Sequence, residues 1–301
     1  MQKIIASAFL PAAVLLTLGS FLLTRHMGGS VAAMELAITL PTAVALGVAM
    51  WLERRMPYSA DWNTPRGDAL TNWLSFGVLA GAMQPLLKML LPLLVFALVG
   101  GTTPAVGLFP TGLPFAVQVL LATLLAELAN YWVHRLHHTQ RALWWLHALH
   151  HGSERLYSIN NFRTHPVEYA VKSVVSLLPL MLLGAPADVM LGYVALTQPV
   201  LMLQHVNLPL RHGWLNYIFS TNTLHRWHHS TQPQEGNTNY GSALVIWDQV
   251  FGTFYHPQHQ PHPNRVGLYA GSHYQPRTSF AAQLLSMFSP QCCKADRKSV
   301  V

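Results

Sequence analysis

Residues 134–151 read HRLHHTQRALWWLHALHH, six histidines in eighteen positions of an otherwise apolar chain. Neutral imidazole is the commonest side-chain metal ligand, and the spacing here is helical. His134 and His138 are four apart, while His147, His150 and His151 follow an HxxHH pattern. Residues three or four apart share a helix face, so each set projects its rings together. The triad returns as His225, His228 and His229 in HRWHH. A lone histidine on an apolar face is ordinarily a hydrogen-bonded core residue, and a single triad could arise by chance. Two triads and a pair are different, because eight buried imidazoles without a cation would demand many separate hydrogen-bond partners. The three clusters are therefore read as metal-ligating.

Two further histidines join them. His165, in RTHPVE, precedes a proline that biases it toward extended backbone, so it is expected to reach inward from a loop. His205, in QHVN, ends an apolar segment. Eight to ten imidazoles exceed the four ligands of one zinc; two metals would share them, with room for an exogenous ligand. There is no HExxH, so a zincin-type protease is unsupported. All-imidazole sites suit Fe, Zn, Cu or Ni, and spacing does not choose among them. Redox chemistry needs iron or copper. His137 is read as adjoining the site. His256, His259 and His262, in HPQHQPHP, are read as a solvated loop, and His26, His212 and His273 are isolated.

The elements that must position these rings are apolar. Of 301 residues, 51% are hydrophobic and 10% charged, with mean hydropathy +0.28; about 25% charge is usual in a soluble domain. Runs at 4–23, 31–52, 69–100 and 114–133 have about the length a helix needs to cross a bilayer. A cleaved signal peptide is the weaker reading of the first, which is long for an apolar signal core. Run 69–100, with Pro85, Lys88 and Pro92, is one kinked helix or a hairpin. Segments 167–184 and 187–204, joined by Gly184-Ala185-Pro186, are expected to enter and leave on one side. The chain carries +7 net charge but no basic run with interleaved aromatics, which excludes a nucleic-acid partner. If 69–100 crosses once, only Arg25 of the 18 Lys/Arg falls on the far side, with Lys88 and Lys172 inside apolar segments. The positive-inside rule then favours a single crossing and cytoplasmic histidines. Cys292 and Cys293 are adjacent and form no disulfide framework. The expected fold is all-α: an integral membrane helical bundle with a cytoplasmic, histidine-rich di-metal helical cap. Residues 1–112 form the transmembrane anchor, 113–256 the catalytic domain including the membrane hairpin at 167–204, and 257–301 the tail.

A ligating histidine usually donates its other ring N–H to an acceptor. Candidates are Glu127, Asn130, Glu154, Asn161, Glu168, Asn207, Asn239 and Asp248. Among them Glu127, Asn161 and Asp248 are carried forward as supports of the site. Glu127, Asn130, Tyr131, His134 and His138 follow 3/4 spacing, and a carboxylate that deep in a span is functional by default; the alternative is a snorkelled interfacial residue. Asp248, in IWDQVFGT, is alternatively a helix or turn cap.

The stretches ELANYWVHRLHH, LWWLHALHHGSERL, NNFRTHPVE, QHVN, LHRWHHS, NYG and IWDQVFGTFY resemble the fatty acid hydroxylase superfamily, over roughly residues 115–256. That superfamily includes sterol desaturases, sphingolipid and fatty acyl hydroxylases, and alkylglycerol monooxygenase. The resemblance implies a non-haem di-iron centre that activates O2 and attacks a C–H bond of a membrane lipid. It implies as ligands His134, His138, His147, His150, His151, His225, His228 and His229, with His165 and His205 near the metals. No fused cytochrome-b5-like segment is present, so a separate cytochrome b5-, ferredoxin- or rubredoxin-like donor is expected. Two other readings compete: a zinc-dependent membrane hydrolase with Glu154 or Glu168 as base, and a non-enzymatic metal carrier or sensor. The latter lacks polar residues along its spans beyond Glu35, Lys88, Glu127 and Lys172. Hydroxylation and desaturation begin with the same hydrogen abstraction, and the identity of the lipid is left open.

Overall fold

Long apolar segments decide the architecture. The computed structural model describes residues 2–99, 107–257, 262–269, 274 and 279–288. Helices α1 (Gln2–His26) and α2 (Val31–Arg55) form an antiparallel pair. Their turn uses Gly28 at φ 72°, and the Ser30 hydroxyl accepts the Ala33 N–H to cap α2. Helix α3 runs from Ala69 to Leu98 as one continuous element. Pro85 has no N–H to give, and just before it the ladder widens into a π-turn at Leu79–Met83. The hairpin alternative for 69–100 is thereby set aside. Two charges within apolar runs also find each other, with Lys88 Nζ 2.8 Å from Glu35 on α2.

Helix α4 (Phe115–Thr139) descends to the first histidines, and α5 (Arg141–His151) returns after an extended break at Gln140. Helices α6 (Pro166–Leu182) and α7 (Ala187–Leu203) form the expected hairpin. Its tip needs Gly184 twice over: φ is 78°, and a Cβ there would lie 2.7 Å from Gly107 Cα. The tip is tied to the far end of α1 by Arg25 and Asp188, 2.8 Å apart. Each arm has 17 residues, about 25 Å at 1.5 Å per residue. The hairpin therefore runs the depth of the bundle, and both of its open ends emerge beside the histidines.

Leu10, Ala13, Ala49, Leu52, Val200 and Leu203 pack α1, α2 and α7 together, while Ala122, Ala126, Leu180 and Val189 join α4, α6 and α7. Leu15, Leu16, Val44, Trp51, Leu93 and Phe96 face outward. Among the described residues four helices are long and apolar enough to cross a membrane, and the chain is an integral membrane protein. Its polar cap sits where α1 begins and α2 ends. There Glu53 Oε1 accepts the N–H groups of Ser158 (2.8 Å) and Asn207 (2.7 Å), and Asp68 forms a buried ion pair with Arg155 at 2.6 Å. Among the described residues the only β pairings are two isolated bridges, Phe219–Leu244 and Ser230–Val266.

Candidate metal centre

Among the described residues nine histidines converge in two groups. His134, His138, His147, His151 and His228 form one; His150, His205, His225 and His229 form the other. Within each group the ligand atoms all lie within 4.8 Å of one another. The HxxHH spacing now has a geometric meaning. In α5 the i, i+4 pair His147 and His151 serves the five-histidine group, while His150 serves the other. The second triad, on α8 (Asn222–His228) and its C-cap, does the reverse: His225 and His229 serve the four-histidine group and His228 the five. Each triad therefore contributes to both groups, whereas the His134/His138 pair serves the five-histidine group alone, and α5 and α8 cannot separate without opening both.

Ring orientation is fixed from behind. The Nδ1–H of His134 donates to Tyr240 O (2.8 Å), that of His147 to Glu168 Oε1 (2.7 Å) and that of His228 to Thr238 O (2.8 Å). His138 donates to Asn237 Oδ1 (3.2 Å), His150 to Arg163 O (3.2 Å) and His205 to Asn160 Oδ1 (2.8 Å). With Nδ1 protonated, the lone pair of each ring sits on Nε2. The Nε2 atoms of these rings and of His151, His225 and His229 face one another: His134–His147 at 3.0 Å, His147–His151 at 3.1 Å and His151–His228 at 3.2 Å. In the other group His205–His225 is 2.9 Å, and His150–His229 and His225–His229 are each 3.1 Å.

His134 and His147 both carry their proton on Nδ1, and lone pairs crowded to 3.0 Å repel unless a cation lies between them. Metal–imidazole bonds of about 2.1 Å set at right angles put neighbouring nitrogens about 3.0 Å apart. The donor sets therefore fit two metal ions. His138 Nε2 is buried with no hydrogen-bond partner among the described residues, which a metal ion at the five-histidine group would supply. Burial, reinforced by the neighbouring imidazoles, pushes His147, His150, His151, His225 and His229 well below the usual histidine range. Burial brings His205 to about 3, with His228 adding to it, and His228 to about 4, with Lys172 adding to it. At neutral pH these rings are uncharged, with lone pairs a metal ion could take.

The carried-forward supports act at one remove. Glu127 Oε2 accepts the N–H groups of Ala243 (2.6 Å) and Leu244 (2.8 Å). Asp248 accepts those of Tyr240 and Gly241, both at 2.7 Å, and the Thr253 hydroxyl. The two carboxylates thus hold segment 240–244 at its two ends, and Tyr240 in that segment holds His134. Asp248 is the turn cap of the alternative reading. Asn161 does not touch a ring nitrogen; its amide is 3.9 Å from Met202 Sδ. Its neighbour Asn160 holds His205 instead, a distinction of one position in a 3-10 turn that spacing does not reveal. Of the other candidates, Glu168 meets a ligand directly. Asn207 ties down Ser59, Asn239 binds the carbonyls of Leu224 and Tyr255, Asn130 reaches Tyr193, and Glu154 pairs with Arg66 on the surface.

His165 is not brought to either group. Pro166 starts α6, so His165 is its N-cap: Nδ1 accepts the Val167 N–H at 3.1 Å, and Nε2 lies 3.2 Å from Leu284 O. The loop expected to carry it inward is the cap of a helix. His137 adjoins the site as expected, its Nδ1 on Val133 O. His256 and His262 lie in neither group; His259 and His273 fall outside the described residues. The backbone acceptors Tyr240 O, Thr238 O and Arg163 O carry no side-chain signal, and sequence reasoning missed all three.

A cavity of about 150 Å³ touches both groups, bordered by His134 and His147 on one side and His150 and His225 on the other. The family model described as fatty acid hydroxylase matches residues 119–253. Ornithine lipid hydroxylase OlsE of Rhizobium tropici is 38% identical over 255 residues, 83% of this chain and 73% of that protein. Alkylglycerol monooxygenase of Danio rerio is 34% identical over 134 residues, 44% of this chain and 30% of that protein. The human alkylglycerol monooxygenase is 32% identical over 131 residues, 42% and 28% of the two chains. No solved structure matches the chain significantly. Box residues, bundle and relatives agree, and the chain belongs to the fatty acid hydroxylase family.

Proposed function

We propose that the protein is an O2-dependent hydroxylase of an amino-acid-containing membrane lipid of the ornithine lipid class, working through a non-haem di-iron centre on the cytoplasmic face. The observation that carries this reading is the pair of converging Nε2 sets, five and four nitrogens, opening on one shared cavity. The nine histidines are the proposed ligands, and four or five nitrogens per metal leave room for an exogenous ligand. Iron bound there supplies the activation of O2 for attack on a C–H bond. Hydroxylation is chosen over desaturation because the relatives are named hydroxylase and monooxygenase, and the first of these supports the lipid class.

The chain's own residues do the rest. The Nδ1–H···O bonds hold the rings in place before any metal arrives. The apolar α6–α7 hairpin and α4 screen the cavity from bulk water and bring the lipid to it from the bilayer. Electrons come from a separate cytochrome b5-, ferredoxin- or rubredoxin-like protein at the polar cap, and the Lys/Arg bias toward that face supports its cytoplasmic placement.

The test is purified protein from iron-replete cells. Two irons per chain, O2 uptake with a reductant, and a one-oxygen mass gain on ornithine lipid are expected. His150→Ala and His228→Ala, one from each group, abolish the product, whereas His259→Ala leaves it near normal. A lone zinc in active material, or turnover under strict anoxia, would overturn the proposal.

A further inference from the structure

Among the described residues, one charged side chain borders the cavity at the histidine groups, and it is Lys172. It stands six residues into α6, about 9 Å along the axis, in an apolar hairpin. An ammonium at such depth is costly and marks function by default. Part of its charge is balanced by Glu168, whose Oε1 is 2.8 Å from Lys172 Nζ. The same oxygen accepts the Nδ1–H of His147 at 2.7 Å, so its negative charge is shared between two donors. An ammonium has three donors, and Glu168 occupies one. The exposures are unequal: the Glu168 side chain is 1% exposed and that of Lys172 26%. A pair serving only to neutralise itself would be closed on both sides; this one turns its cationic end to the cavity.

The cavity's size matters too. At about 150 Å³ it matches engineered cavities that take a molecule as small as benzene. It holds the end of a lipid and not the lipid itself. An end that enters beside the Lys172 ammonium is favoured if it carries negative charge.

We propose that Lys172 determines substrate specificity by binding an anionic oxygen of the lipid head group, a carboxylate, and so positions that head group beside the histidine groups. The inference rests on the lipid hydroxylase reading above. An amino acid acylated through its amine keeps a free carboxylate, which is the group assigned to Lys172; a phospholipid phosphate is the other source of such an oxygen.

The experiment uses iron-loaded protein in nanodiscs. Two substrates are compared, ornithine lipid and its carboxyl methyl ester, by turnover and by equilibrium binding. For Lys172→Met the KM and Kd for the free acid rise about tenfold or more, the worth of one hydrogen bond to a charged group. The thermal midpoint falls, because the buried Glu168 carboxylate loses its cation, but the methyl ester binds both proteins equally, and Lys172→Arg recovers most of the loss. Equal losses on acid and ester would reduce Lys172 to a prop for Glu168 and overturn the proposal, as would no loss on either. Displacement of the free acid by phosphatidylglycerol at equal mole fraction would overturn the carboxylate assignment. The two readings fail separately. Lys172-dependent binding of the acid without hydroxylation sinks the proposed activity alone, and hydroxylation of acid and ester with the same KM sinks the present inference alone.

Discussion

Glu168 Oε1 lies 2.7 Å from His147 Nδ1, and both side chains are 1% exposed. A carboxylate in that position fixes the ring and raises its strength as a ligand. Glu168→Gln keeps the shape and loses the charge. The five-histidine group should then bind metal about 10- to 100-fold more weakly, while the four-histidine group, which Glu168 does not touch through a hydrogen bond, keeps its ion. Titration with a chelator, followed by elemental analysis, should show one metal leaving early and one leaving at the wild-type concentration. Two metals leaving together, or neither shifted, would contradict the assignment.

Segment 240–244 is held at its start by Asp248 and at its end by Glu127. Glu127→Ala strips the acceptor from two buried backbone N–H groups, each worth about 1–3 kcal/mol when left unpaired. A loss of about 3 kcal/mol in stability is expected, with weakened metal binding through His134, whose acceptor is Tyr240 O. Gly241→Ala should reach the same end by another route, since its Cβ would fall 2.0 Å from Leu244 O and 2.6 Å from Asp248 Oδ2. Glu154→Ala, on an exposed pair with Arg66, should change stability by less than about 1 kcal/mol. Thermal midpoints that fail to separate Glu127→Ala from Glu154→Ala would remove the clamp from the account.

These cases show which parts of the site could be read from sequence. The boxes were legible because a helix converts spacing into direction: i, i+3 and i+4 fix which rings project together. The allotment within a box was not. Whether His147 and His151 share one group while His150 serves the other depends on where α5 meets α8, a tertiary fact. Glu127 and Asp248 were found because a buried carboxylate is conspicuous, yet their work on a loop more than a hundred residues from Glu127 left no local trace. The acceptors Tyr240 O, Thr238 O and Arg163 O are main chain, and any residue type supplies a carbonyl. Hydropathy alone located the spans, whereas the continuity of 69–98 depended on a π-turn absorbing Pro85.

Asp68 and Arg155 make a prediction about acid. Burial alone would raise the Asp68 carboxyl, but the hydrogen bonds and charge of Arg155 outweigh it and hold the group below its ordinary value. A depressed carboxyl stabilises the fold fully above its unfolded pKa, about 3.9, and loses that contribution as pH falls through the folded value. Asp68→Asn leaves the buried Arg155 guanidinium without its anion and should cost about 3 kcal/mol or more. The gap in thermal midpoint between wild type and variant should be level from about pH 8 to 5 and narrow below about pH 4. A gap that widened on acidification would reverse the sign of the linkage.

His165 and His205 looked alike in sequence, each a single histidine outside the boxes, and the structure separates them. His205 Nε2 is 2.9 Å from His225 Nε2, with its Nδ1–H on Asn160. His165 caps α6 and bonds toward Leu284. The four-histidine group has no nitrogen to spare, so His205→Ala should leave about one metal per chain and no turnover, with the five-histidine group still loaded. His165→Ala should keep both metals, because what it removes is a helix cap worth about 1 kcal/mol. Its cost is expected as a lower thermal midpoint at unchanged KM. Metal content decides between the two roles independently of activity. If His165→Ala lost metal as His205→Ala does, the loop carrying His165 would have to move inward on metal binding, and the nine-histidine assignment would give way to ten.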